Sequence, residues 1–237
     1  MIKYDMVRKC VGESGGDAMD ARRQFHNNLE ALQQDLLRMG ALVEESIFKA
    51  IRALTEQDTD LAKEVLDGDD HIDRMEIDIE TECLRLIALQ QPMAGDLRLL
   101  GTALKAVTDL ERMGDHCVEI GKVVLRMNRQ PWVKPLLDIP RMANLVESMV
   151  KDSLTAYIRK DVALAETLAK SDDEVDRLYR VIFADLLQMM ISTPTSVEQA
   201  TQLLMVAQSL ERIGDHATNI GEWVIYMVDG VRRDLNM

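Results

Sequence analysis

A chain of 237 residues with 47% hydrophobic content is long and apolar enough to fill one large or two small cores, which excludes disorder across its whole length. Its 41 acidic residues outnumber 28 basic ones, a net charge of −13, and no basic patch stands against that excess, so a nucleic-acid partner is not expected. Aromatics make up only 4% while methionines number 15, so aliphatic and methionine side chains must pack the interior.

Residues 1–20 mix charges with Gly12, Gly15 and Gly16 and show no period, and are expected to form a flexible leader. From Phe25, apolar residues recur every three or four positions through Leu29, Leu32, Leu36, Met39, Val43, Ile47, Ala50 and Leu54, one stripe of a long helix that should end near Gln57. A second periodic stretch runs from about Asp60 to Leu89 and stops at Pro92; a third runs from about Gly95 to Met127 and stops before Pro131 and Pro135. The segment Gln130 to Pro140 holds three prolines and reads as a linker. Beyond it the pattern restarts, over about Ile139 to Ile158, Val162 to Met190 and Ser196 to Val228.

Three long helices joined by short turns make an antiparallel bundle. The predicted fold is therefore all-α, two tandem, pseudo-symmetric three-helix bundles over residues 21–130 and 141–237, with 131–140 between them. Cys10, Cys83 and Cys117 are odd in number and lack a CxxC spacing, which speaks against a disulfide framework or thiolate zinc site. With no apolar signal-peptide core and no run of 18 apolar residues to cross a bilayer, a cytoplasmic location is expected.

The restart is an internal repeat. Arg38 and Arg141, Met39 and Met142, Glu44 and Glu147, Asp58 and Asp161, and Asp73 and Asp176 are all separated by 103 positions. The offset falls to 102 at Pro92 and Pro194 and to 100 at Glu111 and Glu211, so a length difference lies in the turn and early third helix. There the third helices carry Leu110-Glu111-Arg112-Met113-Gly114-Asp115-His116 and Leu210-Glu211-Arg212-Ile213-Gly214-Asp215-His216, each followed by Ile-Gly.

Positions four apart share a helical face, so Glu111 with Asp115, and Glu211 with Asp215, form carboxylate pairs. In so acidic a chain about seven such pairs arise by chance, and one alone would read as a solvated surface. The second helices, however, carry Asp69 with Asp73 and Asp172 with Asp176 at corresponding places. Asp69 and Asp73 precede Pro92 by 23 and 19 residues, and Glu111 and Asp115 follow it by 19 and 23. At about 1.5 Å per residue the pairs on antiparallel helices reach the same height. The second half repeats this registry around Pro194.

Clustered carboxylates without cysteine are hard ligands suited to Mg, Mn, Fe or Ca, and their repulsion raises their pKa until a cation neutralises them; a multinuclear cluster fits such a set. The candidate metal ligands are thus Asp69, Asp73, Glu111, Asp115, Asp172, Asp176, Glu211 and Asp215. Gly114 and Gly214 each cost a helix about 1 kcal/mol relative to alanine, which points to a close approach by another helix or a ligand. Glu119 and Asn219, one turn on, differ in charge, so the two sites need not be identical. His116 and His216 point about 100° away from Asp115 and Asp215 and fit an outer role. Asp70, Asp173, Glu76 and His71 are open between site and surface, while the methionines fit core packing.

The repeated Glu-Arg-x-Gly-Asp-His with its downstream Ile-Gly, the Asp-x-x-x-Asp on the preceding helix, and Asp96-Leu97-Arg98 after Gln91-Pro92 resemble the PhoU family over about residues 22–230. That resemblance implies two pseudo-symmetric three-helix bundles whose Glu(Asp)-x-x-x-Asp motifs, here the four pairs above, bind iron, zinc or manganese clusters on the bundle surface. It further implies an accessory, negative regulator of high-affinity phosphate uptake. Such a regulator acts with the transporter's ATPase subunit and the histidine kinase of phosphate-starvation signalling, and meets the membrane only through partners. The second half lacks an Asp-Leu-Arg counterpart. Homodimerisation is open.

Two other readings compete. A ferritin-like di-metal oxidase requires Glu-x-x-His, and none of His26, His71, His116 or His216 has a Glu three residues before it, so an enzyme is not expected. A helical protein-interaction adaptor without functional metal predicts a melting temperature unmoved by chelation.

Overall fold

The computed structural model describes residues 5–127, 130–132 and 134–235, with side chains from residue 22 onward. Six α-helices account for nearly all of it: α1 (Asp5–Glu56), α2 (Thr59–Gln90), α3 (Gly95–Met127), α4 (Asp138–Arg159), α5 (Val162–Ser192) and α6 (Val197–Asp229), with a single 3-10 turn at Pro194–Ser196 before α6. Helix boundaries follow the local chemistry. The Asp58 carboxylate accepts from the Asp60 and Leu61 backbone amides at the start of α2, and its repeat partner Asp161 does the same for the Leu164 amide of α5. Left-handed residues close α2 at Gln91, α4 at Lys160 and α6 at Gly230.

One expectation differs at the N-terminus. Helix α1 begins at Asp5, so the backbone of residues 5–20 is helical and continuous with the first packed helix, although the sequence shows no helical period there; residues 1–4 lie outside the described residues. Interior glycines such as Gly12, Gly15 and Gly16 weaken a helix by about 1 kcal/mol each, yet they keep its backbone hydrogen bonds, so they do not end it.

Helices α1, α2 and α3 pack on one another, as do α4, α5 and α6, and the two bundles are joined by α3 against α6 and α1 against α4. Their interiors merge into a single core of Leu, Ile, Val, Ala and Met side chains. Polar contacts fix the direction of the central pair: Arg98 Nε donates to the Met227 carbonyl at 3.1 Å, Thr102 Oγ1 to the Trp223 carbonyl at 3.2 Å, and His216 Nδ1 lies 2.8 Å from Asp109 Oδ1. Rising numbers on α3 meet falling numbers on α6, so the two helices are antiparallel and the halves are related by a pseudo-twofold axis between them. The segment between the bundles is pinned to both: Trp132 Nε1 donates to the Leu54 carbonyl at 3.0 Å and Gln199 Nε2 to the Pro131 carbonyl at 2.9 Å.

Candidate functional site

Antiparallel pairing of α2 and α3 sets the height of the first cluster, and glycine sets its depth. A Cβ on Gly114 would stand 3.1 Å from Asp69 Oδ1 and 3.2 Å from Ile72 Cδ1, so the bare backbone of α3 is what lets the Asp69 carboxylate settle against it. Two turns on, a Cβ on Gly121 would meet Leu66 Cδ1 at 2.6 Å and the Ala62 carbonyl oxygen at 3.3 Å, which gives the downstream Ile-Gly its packing reason.

The four acids share one electrostatic neighbourhood. Asp69 is pushed up to about 6, first by burial and then by Asp73 and Asp115. Glu111 is pushed up to about 7, again by burial first, then by Asp115, Glu76 and Asp73 against the pull of Arg112. Glu76 thereby joins the cluster, its own pKa raised by burial and by Glu80. Arg112 Nη1 donates to Asp115 Oδ2 at 2.9 Å. The same guanidinium lies 3.4 Å from Glu111 Oε2 without hydrogen-bond geometry, so that oxygen is buried and accepts no hydrogen bond.

The second cluster repeats the plan with different surroundings. Burial and then Asp215 and Asp176 push Asp172 up to about 6; Glu211 and Asp215 are raised too, chiefly by burial. Arg212 Nη1 lies 3.4 Å from Asp215 Oδ2, a longer version of the Arg112–Asp115 contact. Here, however, Thr218 Oγ1 donates to Asp172 Oδ1 at 3.3 Å and Arg180 Nη2 to Asp176 Oδ2 at 3.3 Å. The first half has Val118 and Ile77 at those two places, and Asp69 and Asp73 accept no hydrogen bond or ion pair among the described residues. Gly214 is also looser: an added Cβ would find only ordinary contacts, from 3.5 Å.

The remaining candidates fall elsewhere. His116 and His216 meet at the contact of the two bundles, ring centroids 5.8 Å apart and tilted by 35°, with His216 and Asn219 both turned to Asp109. Glu119 is occupied by Lys122 at 2.6 Å. His71 lies in a groove facing α1. Sequence reasoning missed Thr218, Arg180 and Asp109; the first two are visible as differences between otherwise matching repeats, whereas Asp109 carries no local signal.

The donors suit a hard cation: oxygen ligands only, several kept partly protonated near neutrality by burial and mutual repulsion, and in Glu111 Oε2 a buried acceptor with no donor. Among the described residues no three His, Cys, Asp or Glu side chains converge tightly enough to hold one ion as they are placed, so a cation could be held there only after rotation of the more exposed carboxylates. Arg112 occupies the Asp115 carboxylate in the meantime.

Comparison with known proteins bears on the family and the fold. The family model described as the PhoU domain matches twice, over residues 36–124 and 139–224. The chain is 45% identical over 216 residues to the phosphate-specific transport system accessory protein PhoU homolog of Clostridium acetobutylicum, covering 91% of this chain and 99% of that one. It is 35% identical over 207 residues to the phosphate-specific transport system accessory protein PhoU of Escherichia coli, covering 87% and 86%. The crystal structure of PhoU from Pseudomonas aeruginosa superposes with a TM-score of 0.84 at 37% identity, over 87% of this chain and 100% of that one. The phosphate transport system regulatory protein PhoU from Streptococcus pneumoniae gives 0.83 at 32% identity, over 89% and 99%.

Proposed function

The chain belongs to the PhoU family, and on that premise we propose that it is a metal-binding regulatory accessory protein of the phosphate-specific transport system, a negative regulator of phosphate uptake and phosphate-starvation signalling rather than an enzyme. The observation that carries the metal part is the duplicated set of half-buried carboxylates, with Asp69 and Glu111 raised to about 6 and 7 and Glu111 Oε2 buried without a donor. Iron, zinc, manganese or magnesium would be held by Asp69, Asp73, Glu111 and Asp115, and by Asp172, Asp176, Glu211 and Asp215, in mononuclear or multinuclear form. A bound cation supplies charge neutralisation.

The protein's own residues do the rest. Asp69 and Asp172 are held against the glycines of the third helices, while Arg112 and Arg212 sit on Asp115 and Asp215 as resident counter-ions that a cation has to displace. Neutralised in this way, the acidic face becomes able to dock the transporter's ATPase subunit or the phosphate-sensing kinase. The family premise supports a cytoplasmic site of action, reached at the membrane through those partners; no helix among the described residues is long and apolar enough to cross one.

The test is elemental analysis of protein purified without chelator, beside a Glu111→Ala, Glu211→Ala variant, followed by ATPase-subunit binding to loaded and chelator-treated protein. Bound metal that falls sharply in the variant, with tighter docking of the loaded form, is the expected result. Equal docking of the two forms would sink the docking step. The want of a three-ligand group among the described residues favours a second reading, a helical adaptor without functional metal, and an unchanged Tm on chelation would select it.

A further inference from the structure

On the side of α2 away from the acids, α1 and α2 leave an open groove of about 600 Å³, floored by Leu32, Leu42, Met75 and Ile79 and edged by Asp78 and Glu82. Through Leu42 and His71 it continues into a second pocket of about 130 Å³ between Glu45 and Glu64. His71, Met75, Asp78 and Glu82 lie about 180° round the helix from Asp69, Asp73 and Glu76, so this surface is separate from the carboxylate cluster. With Asp35, Glu45, Glu64, Asp78 and Glu82 against Arg38 and Lys49, the trough is acidic. Asp78 makes no hydrogen bond or ion pair among the described residues.

The other half of the molecule shows how the same surface is closed. Arg141 Nη2 of α4 reaches Glu174 Oε1 of α5 at 3.4 Å, spanning the two helices, and Lys134 of the inter-bundle segment pairs with Asp185. Leu136 and Ile139 follow that lysine down against Ile182 and Leu186. By the repeat, Arg141 corresponds to Arg38, Glu174 to His71, Ile182 to Ile79 and Asp185 to Glu82. Because His71 stands where the second half has a glutamate, Arg38 turns instead to Asp35 on its own helix, at 2.8 Å; among the described residues the ion pair that spans α1 and α2 is Lys49 with Glu64, at 3.3 Å, in the smaller pocket, and none crosses the larger one. Among the described residues no lysine lies on Glu82, which is held by Arg85 of its own helix.

We propose that this groove is a docking surface for a basic, apolar segment of a partner protein: a lysine or arginine set on Asp78 and Glu82, with aliphatic residues two and five positions later entering the trough. Lys134, Leu136 and Ile139 present such a cation and two aliphatic side chains to α5; their repeat positions in the first half, Ala31, Gln33 and Leu36, lie on α1 and carry no cation. The cation answers the charge of the rim and the aliphatic side chains answer the apolar floor, so both parts are needed for affinity. Docking here does not depend on metal at the acid clusters.

The experiment measures fluorescence anisotropy of a labelled peptide with the sequence of residues 131–140, titrated with the full-length protein. Saturable binding is expected, weakened about tenfold or more by Asp78→Lys with Glu82→Lys, and weakened too by His71→Glu, which recruits Arg38 across the groove. A Lys134→Glu peptide should bind far less well. All three protein positions are at the surface, and an unchanged thermal melt shows that the variants still fold. Absence of saturable binding, equal binding of the Lys134→Glu peptide, or indifference to both protein variants would overturn the proposal. A change in self-association with His71→Glu, read by sedimentation, would overturn it in favour of a second copy of the chain as occupant.

Discussion

The two acid clusters share a backbone plan down to the Gly-Asp-His turn, yet they meet the charge of their carboxylates differently. In the first, Asp69 and Asp73 have no donor among the described residues, and Glu111 Oε2 is buried with the Arg112 guanidinium 3.4 Å away but without a hydrogen bond. In the second, Thr218 holds Asp172 and Arg180 holds Asp176. Gene-level duplication of a helix pair thus preserves where carboxylates stand without preserving how they are compensated. The bare cluster has more to gain from a cation, and the compensated one must first give up internal partners.

The largest expected difference is in metal affinity. By calorimetric titration with Mn²⁺, Glu111→Gln should weaken the first-filled site more than about tenfold, the scale on which even outer partners of a metal act, while Glu211→Gln leaves that site intact. If Glu211→Gln instead removes the tighter site, the comparison is the wrong way round. Next in size is the contact between the halves. His216→Ala leaves the largely buried Asp109 with Asn219 at 3.3 Å in place of its closer partner at 2.8 Å and should cost about 1 kcal/mol in urea unfolding, whereas His116→Ala, which breaks no hydrogen bond among the described residues, should cost less.

The pH dependence has a definite sign. Asp69, Asp172 and Glu111 have folded pKa values of about 6, 6 and 7, above the unfolded carboxyl value of about 4. Their contribution to the metal-free fold is therefore fully present below about pH 4 and is lost as pH rises through 6 to 7. Chelator-treated protein should melt lower at pH 7.5 than at pH 5, and Mn²⁺ affinity should rise over the same interval as protons leave. Glu111→Gln should remove the upper part of that profile; a profile unchanged by it would locate the titration elsewhere.

A smaller effect separates the glycines. Gly214→Ala meets only ordinary contacts and should stabilise by up to about 1 kcal/mol through helix propensity, while Gly114→Ala should lose that gain because Asp69 and Ile72 must move. The smallest is the conversion of one cluster into the other: Arg180→Ile with Thr218→Val should raise second-site Mn²⁺ affinity a few-fold, since an exposed ion pair is worth about 0–1 kcal/mol. No change on that conversion would mean that the local partners do not set the asymmetry.

Much of this was legible in the chain. The period of three to four residues placed six helices to within a residue or two at most ends, with α3 running from Gly95 to Met127 as read, because an amphipathic stripe and a proline stop are local properties. The register of the acids about Pro92 and Pro194 was also readable, since helix rise is constant. Helix α1 was misjudged over residues 5–20, where three glycines argue against helix without forbidding it.

By itself, the sequence determined the all-helical class, the duplication, and the pairing of Asp69 and Asp73 with Glu111 and Asp115 and of their counterparts, all of which follow from spacing along single helices and one tight turn. Only the tertiary structure decided that α3 and α6 run antiparallel in one shared core, that His216 meets Asp109 across it, and that Arg141 closes on α5 a groove that Arg38 leaves open on α2. Those outcomes depend on which distant surfaces bury each other and which charge a side chain finds within reach, and no period along the chain encodes that choice.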